Sequence, residues 1–173
     1  HEDDVIQRLY DASLAFGLDY ALNITADCPL VSIEYMEKTV AKYKETGADL
    51  IRSLDLAHGF FSYGLKVSAM DKVCEIKNEI NTEVWGRYFT DTGLFKIIDF
   101  EIPDTLIRND FRLTLDYPED FEFFKAVYNH FGDYTYRTPM NEIIQFLDNN
   151  PKIVNINKDL KKSYKKRWNS QNT

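Results

Sequence analysis

The stretch RLTLDYPEDFEFFKAV, residues 112–127, sets the pattern from which the fold can be predicted. Its first four residues alternate polar and apolar side chains, which is typical of a β-strand. Pro118 then opens a helical pattern, because proline is favoured in the first turn of a helix. Asp116 lies between the two halves, at the carboxyl end of the predicted strand. An aspartate in this place can cap the helix, or it can bind a ligand.

The same alternation of strands and helices runs through most of the 173 residues. It predicts a layered α/β domain, with a largely parallel sheet flanked by helices, over residues 1–150. Residues 151–173 are predicted to be a basic tail that docks as a helix, and PKIVNIN at 151–157 is the only candidate linker. Strands are expected at 19–25, 48–54, 60–67, 95–102 and 112–115, and helices at 2–17, 32–46, 68–76, 81–91, from 118, and from 138.

Composition excludes several classes of protein. The net charge of −7 argues against nucleic-acid binding, which needs a basic surface. No apolar run approaches the roughly 20 residues of a membrane span, and no signal peptide is evident, so we expect a cytoplasmic protein without a membrane partner. The two cysteines are too far apart in sequence to form a metal-binding motif, and we expect reduced thiols.

Two aspartates follow predicted strands at positions where α/β sheets bind ligands. Asp27 comes after ALNITA and Asp116 comes after RLTL. As a pair they could provide the oxygen ligands of Mg²⁺, which takes one or two carboxylates and leaves its other positions to water and phosphates. The alternatives are structural, since Asp27 can stabilise the turn before Pro29 and Asp116 can cap the following helix.

Three stretches together resemble a known family. HEDDVIQRLYDA, ITADCPLVS and RLTLDYPEDFEFF, in this order and spacing, are similar to the cytidylyltransferases that activate sugars with CTP. The resemblance is closest to the spore-coat polysaccharide cytidylyltransferases and more distant to the acylneuraminate and 3-deoxy-manno-octulosonate cytidylyltransferases. It covers roughly residues 1–131 and implies a Rossmann-like nucleotidyltransferase fold.

The resemblance also implies an activity and a site. The chain would transfer CMP from CTP to the hydroxyl of an acidic sugar, with release of pyrophosphate, for the synthesis of a surface polysaccharide or glycan. Asp27 and Asp116 would be the catalytic residues and the Mg²⁺ ligands. CTP and a sugar acceptor would be the partners, and a homodimer is expected by analogy alone.

The chain departs from the family pattern in its first residues. Members of the family begin with a strand and a basic, glycine-containing loop that holds the triphosphate, and nothing here matches that loop. We therefore expect an incomplete domain, and a chain that is inactive by itself. The alternative hypothesis is a non-catalytic module that keeps the fold and acts as a scaffold or partner. A glycosyltransferase is a third hypothesis, with Asp3 and Asp4 as its only candidate metal motif.

Three further residues are weaker candidates for contact with the substrate. Gly59 is placed like the glycine of the family's substrate loop, and His58 beside it could carry a proton. Arg112 could contact an acidic substrate, although a salt bridge to a neighbouring acid is the simpler interpretation. Cys28, next to Asp27, is interpreted as a buried thiol rather than a nucleophile.

Overall fold

The computed structural model describes residues 2–160. The chain divides into two compact units, each built from separate parts of the sequence. Of the described residues, the first comprises 2–23, 34–53 and 62–100, and the second comprises 24–33, 54–61 and 101–160. The predicted boundary between residues 150 and 151 stays a prediction. Within the described part, no helix combines the length and the apolar character needed to cross a membrane.

The first unit contains a four-stranded sheet with helices packed on it, which confirms the predicted α/β class. The strand order is β1-β3-β2-β4. Its strands are β1 (Tyr20–Asn23), β2 (Leu50–Arg52), β3 (Tyr63–Lys66) and β4 (Ile97–Asp99), and its helices are α1 (Val5–Ala15), α2 (Ile33–Thr46), α3 (Val67–Ile76) and α4 (Gly86–Thr90).

The sheet is mixed, so the prediction of a largely parallel sheet is wrong in this respect. β2 and β4 are parallel, whereas β3 is antiparallel to both β1 and β2. The reason is the connection between β2 and β3, which contains no helix. A parallel pair needs a long crossover, usually through a helix, while a short connection returns the chain in the opposite direction.

The core of the first unit lies on one face of this sheet. Leu50 and Leu65, a cross-strand pair, are fully buried there with Ile6 of α1 and Met70 of α3. The opposite face is covered by α2. There a Cβ atom on Gly64 would lie 1.8 Å from the Tyr20 hydroxyl of β1 and 2.4 Å from Thr39 Cγ2 of α2, so the glycine allows the helix and strands to approach closely.

The second unit is built from loops and helices around an extended segment. The prediction of a strand at residues 112–115 is wrong, because these residues form one isolated parallel bridge between Arg112 and His58. Their neighbours are loops that offer single backbone carbonyls rather than a continuous strand. The helices of this unit are α5 (Pro118–Phe131), α6 (Met140–Asn149) and α7 (Pro151–Val154), with short 3₁₀ turns at Asp104–Leu106 and Thr135–Arg137.

Two other predicted elements differ from the structure. The helix expected over 81–91 begins only at Gly86, because the Asn81 side chain accepts a hydrogen bond from the Glu83 N–H at 3.2 Å and forms a turn instead. The candidate linker at 151–157 is structured, since it contains α7 and the buried Asn157. The remainder of the predicted tail helix, residues 161–173, lies outside the described residues.

Candidate functional site

The second unit brings together the two aspartate turns that were identified from the sequence. The Leu115 N–H donates a hydrogen bond of 2.8 Å to the backbone carbonyl of Asp27. Asp116 is the next residue along the chain, so the turn after β1 and the entry to α5 are joined by backbone contact. Residues 89 positions apart are thereby neighbours, as a shared ligand site requires.

The carboxylate of Asp116 is held by two side chains. Its Oδ2 atom accepts hydrogen bonds from Arg112 Nη2 at 2.6 Å and from the Thr114 hydroxyl at 2.9 Å. Among the described residues no hydrogen bond reaches Oδ1, and the side chain keeps 24% of its accessible area. Asp116 therefore presents one carboxylate oxygen that a ligand could use.

Asp120, rather than Asp116, caps helix α5. The Asp120 Oδ2 atom accepts from the backbone N–H groups of Asp116 and Tyr117, both at 3.0 Å. These donors precede the helix, and a carboxylate in its first turn also suits the positive end of the helix dipole. The capping interpretation of Asp116 is therefore wrong, because another carboxylate performs that role.

Arg112 forms the predicted salt bridge to neighbouring acids. Its Nε and Nη2 atoms each donate to one oxygen of the Asp120 carboxylate, at 2.9 Å. The arginine side chain is 1% exposed and that of Asp120 is fully buried. Such a buried bidentate pair fixes both side chains, and through Nη2 it also fixes Asp116. A direct contact between Arg112 and a substrate stays a prediction.

Hydrogen bonds hold the pKa of Asp120 below its usual value. Burial alone would raise this pKa, but donors from Arg112, the Asp116 N–H and Asn157 stabilise the charged form more strongly. The carboxylate therefore stays ionised beside the guanidinium.

The thiol of Cys28 lies next to both candidate aspartates. Burial raises its pKa to about 11; a hydrogen bond with Thr25 opposes this, while the charges of Asp27 and Asp116 raise the pKa further. The Thr25 Oγ1 atom lies 3.1 Å from the Cys28 sulfur. Cys28 is therefore a protonated thiol at neutral pH, as expected, and not a nucleophile.

His58 and Gly59 lie in the loop beside the extended segment. The His58 carbonyl accepts a hydrogen bond of 2.9 Å from the Leu113 N–H, and its ring stacks on that of Phe61. Gly59 has a φ of +110°, and a Cβ atom there would lie 2.1 Å from the Leu113 carbonyl oxygen. The glycine is thus required by its backbone conformation and by contact with the chain before Asp116. Roles for either residue in binding a substrate stay predictions.

The donor set around Asp27 and Asp116 suits a hard divalent cation. Asp27 is half-buried, and its Oδ1 atom lies 3.8 Å from the Cys28 thiol. Two carboxylates with accessible oxygens match the oxygen ligands that Mg²⁺ takes. Within residues 2–160 no group of three or more His, Cys, Asp and Glu side chains is arranged to hold a metal ion by itself.

Asp3 and Asp4 do not form the glycosyltransferase motif that was considered as an alternative. The Asp4 carboxylate is buried in the first unit, where it pairs with Lys77 and accepts a hydrogen bond from Thr82 at 2.9 Å. It also accepts from the Gln7 N–H and so caps α1. These partners give Asp4 a structural role.

Sequence reasoning missed the two residues that complete this network. The sequence pattern presents Asp120 only as part of a helix start, although an acidic residue four positions after Asp116 is a usable sign of capping. Asn157 donates hydrogen bonds to the Arg112 carbonyl at 3.0 Å and to Asp120 Oδ1 at 2.8 Å. Nothing in the local sequence around Asn157 indicates that contact.

Comparison with known proteins places the chain among relatives. It is 33% identical over 167 residues to the uncharacterized protein MJ1063 of Methanocaldococcus jannaschii, covering 95% of this chain and 68% of the relative. It is 22% identical over 153 residues to the spore coat polysaccharide biosynthesis protein SpsF of Bacillus subtilis, covering 87% and 63%. A solved cytidylyltransferase from Leptospira borgpetersenii superposes with a TM-score of 0.76 at 23% identity, over 88% of this chain and 65% of that one.

The chain belongs to the same family as MJ1063, and its fold is that of the solved cytidylyltransferase. The structural likeness confirms the nucleotidyltransferase fold that the sequence motifs implied. No model of a known protein family matches the chain. The chain spans about two thirds of the length of each of these proteins, with shares of 68%, 63% and 65%.

Proposed function

We propose that this protein is a CTP-dependent nucleotidyltransferase that transfers CMP to a sugar hydroxyl and releases pyrophosphate. The observation that carries the proposal is the hydrogen bond of 2.8 Å from Leu115 to Asp27, which joins the two aspartate turns in a chain of this family. The SpsF relative is a spore coat polysaccharide biosynthesis protein by name, and the structural neighbour is a cytidylyltransferase. Both support a sugar nucleotide as the product.

In the proposed reaction, the acceptor oxygen attacks the α-phosphorus of CTP. One P–O bond forms, the bond to the β-phosphate oxygen breaks, and pyrophosphate leaves with the electron pair. The acceptor hydroxyl gives up its proton to solvent water during the attack. When bound, Mg²⁺ neutralises the charge that develops on the phosphate oxygens.

The residues present fit such an ion, and we assign Asp27 and Asp116 as its protein ligands. Asp116 offers Oδ1, while its Oδ2 is anchored by Arg112 and Thr114. Fixing one oxygen orients the other, and an oriented ligand binds metal more tightly than a mobile one. Phosphate oxygens and water would complete the coordination.

The proposal is tested by the binding of CTP to the full-length native protein. A ligand that binds only the folded state stabilises it by about 2.7 kcal/mol at about 100 times its Kd. For a protein of this size that free energy raises the melting temperature by about 5–10 °C. We expect this rise with CTP and Mg²⁺ together, and its loss in Asp116→Asn.

The matched control is Asp110→Asn. Asp110 lies in the same unit, and its side chain is 49% exposed in a surface pair with Lys158. We expect the CTP-dependent rise to persist in this variant. A full-length protein whose melting temperature does not respond to any nucleoside triphosphate with Mg²⁺ would refute the proposal and favour a non-catalytic module.

A further inference from the structure

Asn157 lies at the centre of the buried polar network behind the candidate site. Its side chain is 1% exposed, and it lies three residues beyond the end of α7. The Nδ2 group uses both of its hydrogens, one for the Arg112 carbonyl and one for Asp120 Oδ1. A single amide thus links the C-terminal segment to both members of the buried salt bridge.

The Asp120 carboxylate accepts five hydrogen bonds in this network. Oδ1 accepts from Arg112 Nε and Asn157, and Oδ2 accepts from Arg112 Nη2 and from the N–H groups of Asp116 and Tyr117. A buried carboxylate is stable only when such donors compensate its lost hydration. Removal of the Asn157 amide takes away one donor from the Asp120 carboxylate, which in turn holds the backbone N–H of Asp116.

The same network reaches the Asp116 side chain by a second route. Arg112 Nη2 donates to Asp120 and also to Asp116 Oδ2, at 2.9 Å and 2.6 Å. Asn157 therefore acts on two groups of Asp116, the backbone N–H and the side-chain carboxylate. Both routes pass through Asp120, and neither involves direct contact between Asn157 and Asp116.

We propose that Asn157 is a positioning residue that orients Asp116 for metal-dependent nucleotidyl transfer. This inference rests on the proposed function and assigns a catalytic consequence to a segment that the sequence predicted to be part of a docked C-terminal tail. Partners of a metal ligand commonly change metal affinity by about 10-fold to 100-fold when they are removed. The expected effect of losing the amide is therefore weaker use of Mg²⁺ rather than general unfolding.

The test uses Asn157→Ala and Asn157→Leu in the full-length protein. The leucine variant keeps the branched shape and the number of side-chain heavy atoms but has no donor, so it separates loss of the hydrogen bonds from loss of packing. The matched control is Asn150→Ala, because the Asn150 Nδ2 group donates to the Phe146 carbonyl at 2.8 Å in the same unit without contact to the network.

Two readouts are measured on each folded variant. The first is amide hydrogen exchange of the peptide that contains Asp116 and Tyr117, whose N–H groups bond to Asp120. The second is the Mg²⁺ concentration for half-maximal release of pyrophosphate from CTP in the presence of a panel of acidic sugars. We expect faster exchange and a Mg²⁺ requirement raised by about 10-fold in both Asn157 variants, with neither change in Asn150→Ala.

Exchange at the wild-type rate in both Asn157 variants would overturn the inference, as would faster exchange with an unchanged Mg²⁺ requirement. An equal effect of Asn150→Ala would also overturn it, because the effect would then be general. If the wild-type protein releases no pyrophosphate, the proposed function fails. Hydrogen exchange then decides by itself whether Asn157 orders Asp116, and an unchanged rate refutes this link.

Discussion

Replacement of Gly59 by alanine should destabilise the second unit more than replacement of Gly132, the other glycine of that unit with a positive φ. A Cβ atom on Gly59 would lie 2.1 Å from the Leu113 carbonyl oxygen, 2.5 Å from its carbonyl carbon and 2.8 Å from its Cβ. The nearest two atoms belong to the backbone, which cannot rotate away. The φ of +110° is also a conformation that residues with a Cβ atom rarely adopt.

Three costs follow from this geometry. A residue held in a disfavoured backbone region costs on the order of 1–3 kcal/mol. Overfilling a packed site costs about 1–3 kcal/mol more. Separation of the two segments also weakens the hydrogen bond from Leu113 to His58, which contributes about 1 kcal/mol. We expect a loss of about 5 kcal/mol in the free energy of unfolding, the middle of the summed range of about 3–7 kcal/mol.

The assay is urea unfolding followed by circular dichroism, with Gly132→Ala as the matched control. Gly132 lies in the same unit and has a φ of +81°, but a Cβ atom there would meet nothing within 4 Å beyond its chain neighbours. The control should lose about 1–3 kcal/mol, which is the cost of the backbone conformation alone. Equal losses in the two variants would refute the argument that close contact with Leu113 demands glycine at 59.

Three other outcomes follow from the same unit. Arg112→Met should lower the free energy of unfolding by about 3–5 kcal/mol, because it leaves Asp120 buried without its partner. Arg108→Met should lower it by about 1 kcal/mol or less, because the Arg108 and Asp148 side chains of that salt bridge are 25% and 42% exposed. Equal losses in urea unfolding would contradict this prediction. The lowered pKa of Asp120 contributes stability that is present above pH 3.8 and is lost as the pH falls through the pKa of the folded protein. Asp120→Asn should therefore flatten the decline of stability below about pH 4. An unchanged slope in an acid titration would count against this prediction. Because its pKa is about 11, the Cys28 thiol should react with iodoacetamide at pH 8 about 100-fold more slowly in the folded protein than in urea. Peptide mass spectrometry measures both rates, and similar rates would show that the thiol is not protected.

Most of the local structure follows from the sequence because it depends on neighbouring residues. The helix predicted over 2–17 is present as α1, and Gly17, which follows it, has the positive φ of +62° that is typical of a residue that ends a helix. The strand predicted at 112–115 failed because strand formation depends on a partner, and its neighbours here are loops. Alternation of polar and apolar residues indicates which side chains can be buried, but it does not indicate whether another strand lies alongside.

The candidate site could be predicted in part, because some of its features also depend on neighbouring residues. Asp27 and Asp116 are visible because each follows a predicted strand, and family resemblance links them. The hydrogen-bond network that supports Asp116 cannot be predicted from the sequence, because Asn157 contacts Asp120 across 37 residues and the Arg112 backbone across 45. Contacts at such separations depend on how the helices fold back, which short-range patterns do not encode.

The central claim is that Asp27 and Asp116 together support metal-dependent transfer of CMP. Its most direct test is release of pyrophosphate from CTP by the full-length protein, with Mg²⁺ and a panel of acidic sugars, compared with Asp27→Asn and Asp116→Asn. We predict release that depends on both the metal and a sugar, and its loss in each variant while Asp110→Asn stays active. Undiminished release in either aspartate variant, with folding intact, would contradict the assignment of the site.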